Sequence, residues 1–146
     1  MKNKGFTLIE LLVAMTVASV LMGLALVSYQ GARKSARDGK RKADLEQVRS
    51  ALEMRRADCG SYPNGSLSSG QNITGDGSSS SCSSSTVYMT IPTDPLSPTY
   101  EYRYNGSATS YTLCAYLEGG GQTTNCTGSC GGNCGTAACN YKVCNP

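Results

Sequence analysis

Apolar and polar positions divide this chain into four stretches, the first of them almost unbroken. From Phe6 to Tyr29 the residues are apolar or uncharged, with Glu10 as the only charge. A helix over this stretch, at about 1.5 Å per residue, would be about 36 Å long and would cross a bilayer core. Its twelve Leu, Ile, Val and Phe residues contribute roughly 4 to 7 kcal/mol toward insertion, against about 3 kcal/mol for an acidic group at mid-membrane and less near the edge. The segment therefore inserts despite Glu10. A carboxylate retained inside such a segment is a functional candidate.

Beyond Arg33 the apolar positions thin to one side. Ala36, Leu45, Val48 and Leu52, with Ala51 beside them, recur at spacings of three and four and predict an amphipathic continuation of the same helix to Cys59. Gly31 and Gly39 are weak points, each costing up to about 1 kcal/mol relative to alanine. Gly60 is placed to cap the helix in the left-handed conformation, with Pro63 beyond it.

The third stretch, residues 60–86, is Ser-rich, is interrupted by Asn64-Gly65 and Asp76-Gly77, and reads as loop without a core of its own. Cys59 and Cys82 bracket it, which makes a bridge between them the first expectation.

In the fourth stretch, Val87–Ile91 predicts a strand, followed by a proline-stiffened connector. Tyr100, Tyr102 and Tyr104 then alternate with Glu101 and Arg103, as in a strand with one aromatic face. Asn105-Gly106 is a hairpin turn signal, and Tyr111–Leu117 is the expected return strand. Gly119–Ala138 has no periodicity and can hold shape only if crosslinked. Asn140–Cys144 predicts a last strand, which beside Tyr111–Leu117 would bring Cys144 near Cys114. The expected fold class is α+β: a long N-terminal helix packed on a small antiparallel sheet, with a disulfide-rich C-terminal loop region.

Cysteine usage fixes the compartment. All eight cysteines, Cys59, Cys82, Cys114, Cys126, Cys130, Cys134, Cys139 and Cys144, lie at or beyond residue 59. An even, dense set in a small region reads as a disulfide framework in an oxidising space, although eight cysteines admit 105 pairings. Zinc is the competing reading, but the cluster has no Cys-x-x-Cys pair and the chain has no histidine. Eleven of the thirteen Lys and Arg residues precede residue 57, so the last 87 residues are nearly neutral. They are also poor in large aliphatics. A domain of that size buries little surface, and disulfides worth about 2 to 4 kcal/mol each are the expected compensation.

Gly5-Phe6-Thr7-Leu8-Ile9-Glu10, behind the basic leader Met1-Lys2-Asn3-Lys4, resembles the processing signal of the type IV pilin superfamily. The resemblance extends through Lys40-Arg41-Lys42-Ala43-Asp44-Leu45, Leu52-Glu53-Met54 and Asp58 to Tyr62-Pro63. It implies a leader of residues 1–5 cut between Gly5 and Phe6 by a prepilin peptidase, and N-methylation of the new Phe6 amine. It also implies a helix over residues 6–59 whose part 6–29 is membrane span and filament core, and a head over residues 60–146. Glu10 matches the superfamily's acidic residue, one helical turn or about 6 Å from the Phe6 amine, and the two form a candidate assembly charge pair. The implied partners are copies of the same chain in a helical filament and a membrane assembly platform with its ATPase. The implied location is a single-pass protein of the cytoplasmic membrane that becomes part of an extracellular filament. The chain departs from many relatives in having no proline before Pro63.

Other readings fit less well. A conventional signal peptide has a shorter apolar region, and the best small-x-small site, Gly23-Leu24-Ala25, lies inside the run. The basic residues Arg33, Lys34, Arg37, Lys40, Arg41 and Lys42 could touch DNA or headgroups, and the tyrosines could stack bases. A solvated strip and a sheet core are the plainer expectations, and no nucleic-acid partner is indicated. Without histidine the usual base of hydrolytic sites is missing, so no enzyme and no cofactor are expected. Asp94 falls where related heads carry a metal loop, but no Asp or Glu follows Glu118 to complete a calcium site. Asn64, Asn72, Asn105 and Asn125 each begin an Asn-x-Ser/Thr triplet. The expected function is a filament subunit of the pilin kind, with a secretion pseudopilin and a non-polymerising anchored protein as alternatives.

Overall fold

The computed structural model describes residues 5–121 and 126–145. The leader residues Lys2 and Lys4 and the glycosylation candidate Asn125 lie outside them. The chain divides into two units, Met1–Ala36 and Arg37–Pro146, and one helix, α1 (Leu8–Cys59), runs from the first into the second.

In the first unit, Thr7 starts the helix. Its hydroxyl accepts the backbone N–H of Glu10 at 3.3 Å and its carbonyl that of Leu11 at 3.3 Å, which satisfies donors that a helix start leaves unpaired. Glu10 thus sits in the first turn, where a carboxylate meets the positive end of the helix dipole. Thr16 and Ser19 return their hydroxyls to Val13 and Met15 carbonyls, both at 2.8 Å. These two hydroxyls of the apolar stretch are therefore satisfied within the helix.

In the second unit, α1 buries Leu45, Val48, Ala51 and Leu52 against Tyr62, Ile73, Ile91, Tyr102, Tyr104, Tyr111, Leu113 and Val143. Ala36, expected on that stripe, is exposed. The helix ends where expected: Gly60 has φ +73° and donates to the Arg56 carbonyl at 2.8 Å, closing the last turn.

Six strands follow: β1 (Gly65–Ser68), β2 (Asn72–Thr74), β3 (Val87–Thr90), β4 (Arg103–Gly106), β5 (Tyr111–Ala115) and β6 (Tyr141–Cys144). A four-stranded antiparallel sheet has the order β1-β4-β5-β6, and β2 pairs with β3. Every residue of β5 is buried. Tyr111, Leu113 and Ala115 face the helix, and the alternation of a strand turns Thr112 and Cys114 to the other side, where Cys130 and Cys134 cover Cys114.

Three expectations need correction. The Ser-rich stretch is not all loop: β1 and β2 lie in it, and Ile73 is fully buried. Asn105-Gly106 is not the turn, because both residues belong to β4 and the chain reverses at Ser107–Ser110. A Cβ on Gly106 would lie 2.0 Å from the Tyr104 hydroxyl, so that glycine serves the Tyr104 ring, whose hydroxyl donates to the Pro63 carbonyl at 2.5 Å. Finally, Tyr100 is outside the strand and stacks on Tyr116 at 4.5 Å, while Tyr102 and Tyr104 are buried.

Four disulfides tie the second unit: Cys59–Cys82, Cys114–Cys130, Cys126–Cys144 and Cys134–Cys139. Cys144 does not join Cys114. The register sets Cys144 opposite Thr112, so each of the two cysteines takes a partner from the loop that crosses the sheet's outer face.

Candidate functional site

Two features carry the chemistry, one in each unit. In the first unit the apolar side chains are exposed: Phe6, Leu8, Ile9, Val13, Val20 and Leu26 are between 53% and 88% exposed. Exposure on that scale marks an interaction surface or a membrane segment. Glu10 is exposed among these side chains. Gly5, Phe6 and Thr7 precede the helix in irregular, exposed chain, so the Gly5–Phe6 peptide bond lies outside regular structure. Thr7 was not singled out by sequence; a hydroxyl three residues before Glu10 is its signal.

In the second unit the feature is a buried ion cluster centred on Arg41, whose side chain is 0% exposed. Arg41 Nε and Nη2 donate to the two oxygens of Asp94 at 2.7 and 3.0 Å, and Nη1 donates to Asp38 at 2.8 Å and Glu118 at 2.9 Å. Arg37 holds Glu118 from the other side through Nε at 2.7 Å and Nη2 at 2.6 Å. Asp38 also accepts the backbone N–H groups of Glu118 at 3.0 Å and Gly119 at 2.8 Å, and Asp94 accepts that of Leu96 at 2.8 Å. The Tyr100 ring lies 5.4 Å from the Arg41 guanidinium carbon. Nearby, the buried Tyr102 hydroxyl donates to Asp44 at 2.8 Å. Three remote segments, the helix, the connector at Asp94 and the chain after β5, thus meet on one guanidinium, whose planar fork suits bidentate carboxylates.

The electrostatics follow from these contacts. The Arg37 hydrogen bond, then that of Arg41, outweighs burial and holds the Glu118 carboxyl down at about 2. Burial alone would lower the Arg41 pKa, but the hydrogen bonds from Asp94, Glu118 and Asp38 reverse its effect and raise it. Burial, then the Asp44 hydrogen bond, pushes the Tyr102 phenol far above its usual range. A carboxyl depressed from 4.5 to about 2 on folding stabilises the fold above pH 4.5 and loses that contribution as the pH falls through 2. Acid titration followed by tyrosine near-ultraviolet circular dichroism should therefore show Glu118→Gln less stable than the parent at pH 7, with the difference closing between about pH 4.5 and 2.

The cluster is saturated and offers no group for catalysis: among the described residues no buried side-chain nitrogen or oxygen lacks a partner. Asp94, matched by resemblance to a metal loop, has both oxygens on Arg41. The sulfurs considered for zinc are all spent in disulfides. Arg37 and Arg41 leave the expected solvated strip, and the buried Tyr102 and Tyr104 are core rather than a stacking platform. Among the triplets, Asn64 and Asn72 are exposed, whereas Asn105 donates its amide to the Ser129 carbonyl at 3.0 Å. Sequence reasoning missed the Arg41 cluster altogether.

Residues 1–26 match the family described as prokaryotic N-terminal methylation motif. Residues 28–129 match the family described as type II secretion system protein G. No match was found among curated proteins or solved structures. These families are structural pilin and pseudopilin subunits rather than enzymes, and they imply prepilin peptidase processing and filament assembly. The second match covers well over half of the chain and agrees with a helix packed on a small antiparallel sheet, so the chain belongs to the type II secretion system protein G family, within the type IV pilin and pseudopilin superfamily.

Proposed function

We propose that this chain is the structural subunit of a surface helical filament of the type IV pilus kind, held in the cytoplasmic membrane by residues 6–29 until it is assembled. The observation that carries the reading is an apolar surface, exposed from Phe6 to Leu26, whose helix begins at Leu8, two residues after an exposed, non-helical Gly5–Phe6 bond. Cleavage there removes Lys2 and Lys4 and leaves an amine, methylated on Phe6, within a turn of Glu10. The bared helices then bundle as the filament core. The four disulfides support an exported destination, since such bonds persist in oxidising spaces outside the cytoplasm.

A second reading, a pseudopilin whose short filament drives secretion, is favoured by the family match over residues 28–129. Electron microscopy of sheared surface material, with intact-mass spectrometry of what is recovered, tests both. Long fibres made of a chain that starts at Phe6 and carries a methylated amine are expected. Short fibres would turn the conclusion to the pseudopilin. No fibres at any expression level, or a mature start near residue 26, would overturn it.

A further inference from the structure

The six cations between Arg33 and Lys42 oppose the positive-inside tendency if they leave the membrane on the exported side, so how each is compensated matters. Arg37 and Arg41 are paired with Glu118, Asp94 and Asp38. Lys42 lies 5.7 Å from the centre of the Tyr141 ring. Arg33, Lys34 and Lys40 are different: all three are exposed and no carboxylate among the described residues bridges any of them, and for the first two the sequence has no acid between Glu10 and Asp38. Arg33 instead lies with its guanidinium carbon 5.6 Å from the centre of the Tyr29 ring, an aromatic that is itself 59% exposed.

Height along the helix identifies what they meet. Counted at about 1.5 Å per residue from Phe6 at the cytoplasmic face of a bilayer about 40 to 45 Å thick, Tyr29 stands about 35 Å along the axis, at the far edge of a hydrocarbon core of about 30 Å. Arg33 and Lys34 stand at about 40 to 42 Å, where the headgroup layers of a bilayer about 40 to 45 Å thick lie. An aromatic at the edge of the core and two uncompensated cations one turn higher match a headgroup that carries net negative charge.

We propose that Tyr29, Arg33 and Lys34 form a site for an anionic phospholipid headgroup in the exported leaflet, with Tyr29 positioning the Arg33 guanidinium. The site rests on the membrane-inserted state proposed above and holds the chain at a fixed depth before assembly. Lys40, six residues beyond Lys34 and in the second unit, takes no part.

The test uses the full chain in phosphatidylcholine bilayers, with electron paramagnetic resonance of spin-labelled phosphatidylglycerol and phosphatidylcholine measuring which lipid the chain retains. The parent should prefer phosphatidylglycerol by roughly three- to tenfold at low salt, and lose most of that preference at about 1 M salt. The double variant Arg33→Gln/Lys34→Gln should fall to within about twofold of no preference, while Lys40→Gln keeps the parent value. No preference in the parent, an unchanged double variant, or an equal loss in Lys40→Gln would each overturn the site. Alkaline carbonate extraction run alongside separates the two readings. Release of the parent from the bilayer means that the membrane reading has failed, and selectivity lost in a chain that stays embedded means that only the lipid site has.

Discussion

Replacing Arg41 with Ala is expected to lower the melting temperature of the second unit by roughly 10 to 20 °C, the shift that corresponds to a loss of about 3 to 5 kcal/mol in a domain near this size. The cost does not come from the ion pairs themselves, which offset the desolvation of their charges only in part. It comes from what is left behind, since Asp38, Asp94 and Glu118 converge on a site from which the guanidinium has gone. Asp94 keeps only the Leu96 N–H, Asp38 its two backbone N–H groups and Glu118 its Arg37 pair, and buried carboxylates stripped of the shared guanidinium must ionise at a penalty, take up protons or pull apart. Pulling apart would release the connector at Asp94 and the chain at Glu118–Gly119 from the helix. Arg41→Lys should fall between parent and Ala, because an ammonium keeps the charge but cannot span both oxygens of Asp94 and still reach Asp38 and Glu118. Thermal unfolding followed by tyrosine near-ultraviolet circular dichroism, with the disulfides intact, measures both. An Arg41→Ala variant that melts within about 3 °C of the parent would show the cluster to be incidental.

The distance between partners explains why this cluster stayed hidden in the sequence while other features did not. Leu45, Val48 and Leu52 announce a buried helix face by their own spacing, and Gly60 announces its end, because the information lies within a few residues. Arg41 is one cation in a basic run, and apart from Asp38, one helical turn away, its partners lie 53 and 77 residues away, with no local pattern to mark them. The expected turn at Asn105-Gly106 failed for a related reason: the glycine is required by the Tyr104 ring folding across it, a contact that imitates a turn signal. β1 and β2 were invisible because polar residues fill them around Leu67 and Ile73, and their stability is lent by the strands and helix they meet. The disulfide pairing after β5 could not be chosen from spacing. It depends on the β5–β6 register, and a two-residue offset decides whether Cys144 faces Cys114 or Thr112. At the N-terminus the reverse holds. The apolar run and Glu10 are legible at once, while the chemistry we propose for them requires a second copy of the chain.

The Glu10→Ala variant is expected to lose its filaments while keeping its monomer. Glu10 lies in the first turn of α1, where its backbone N–H is already held by the Thr7 hydroxyl, so its side chain is not needed to start the helix. Losing the carboxylate there costs about 0.3 to 1 kcal/mol of dipole interaction, little beside the insertion energy of the apolar run, which the substitution increases. Assembly is another matter. In the proposed mature chain, with the helix continued back to Phe6, the Phe6 amine and the Glu10 carboxylate would lie about 6 Å apart along the axis, and in a staggered bundle each carboxylate could meet the amine of a neighbouring subunit. A wrongly staggered neighbour leaves both charges unpaired in a low-dielectric core, a penalty of roughly several kcal/mol that selects one register. Without Glu10 the amine is stranded at every register and the selection disappears. Glu10→Gln separates this role from helix capping: its amide can still reach back to the helix start, but it carries no charge, so it should fail as Ala does. Each variant is expressed as the sole subunit, its oxidised monomer is confirmed in the membrane fraction, and surface fibres are counted by electron microscopy. Fibre numbers like the parent's in either variant would refute the charge pairing, recovery in Gln alone would assign Glu10 to capping, and loss of the monomer would move its role to insertion.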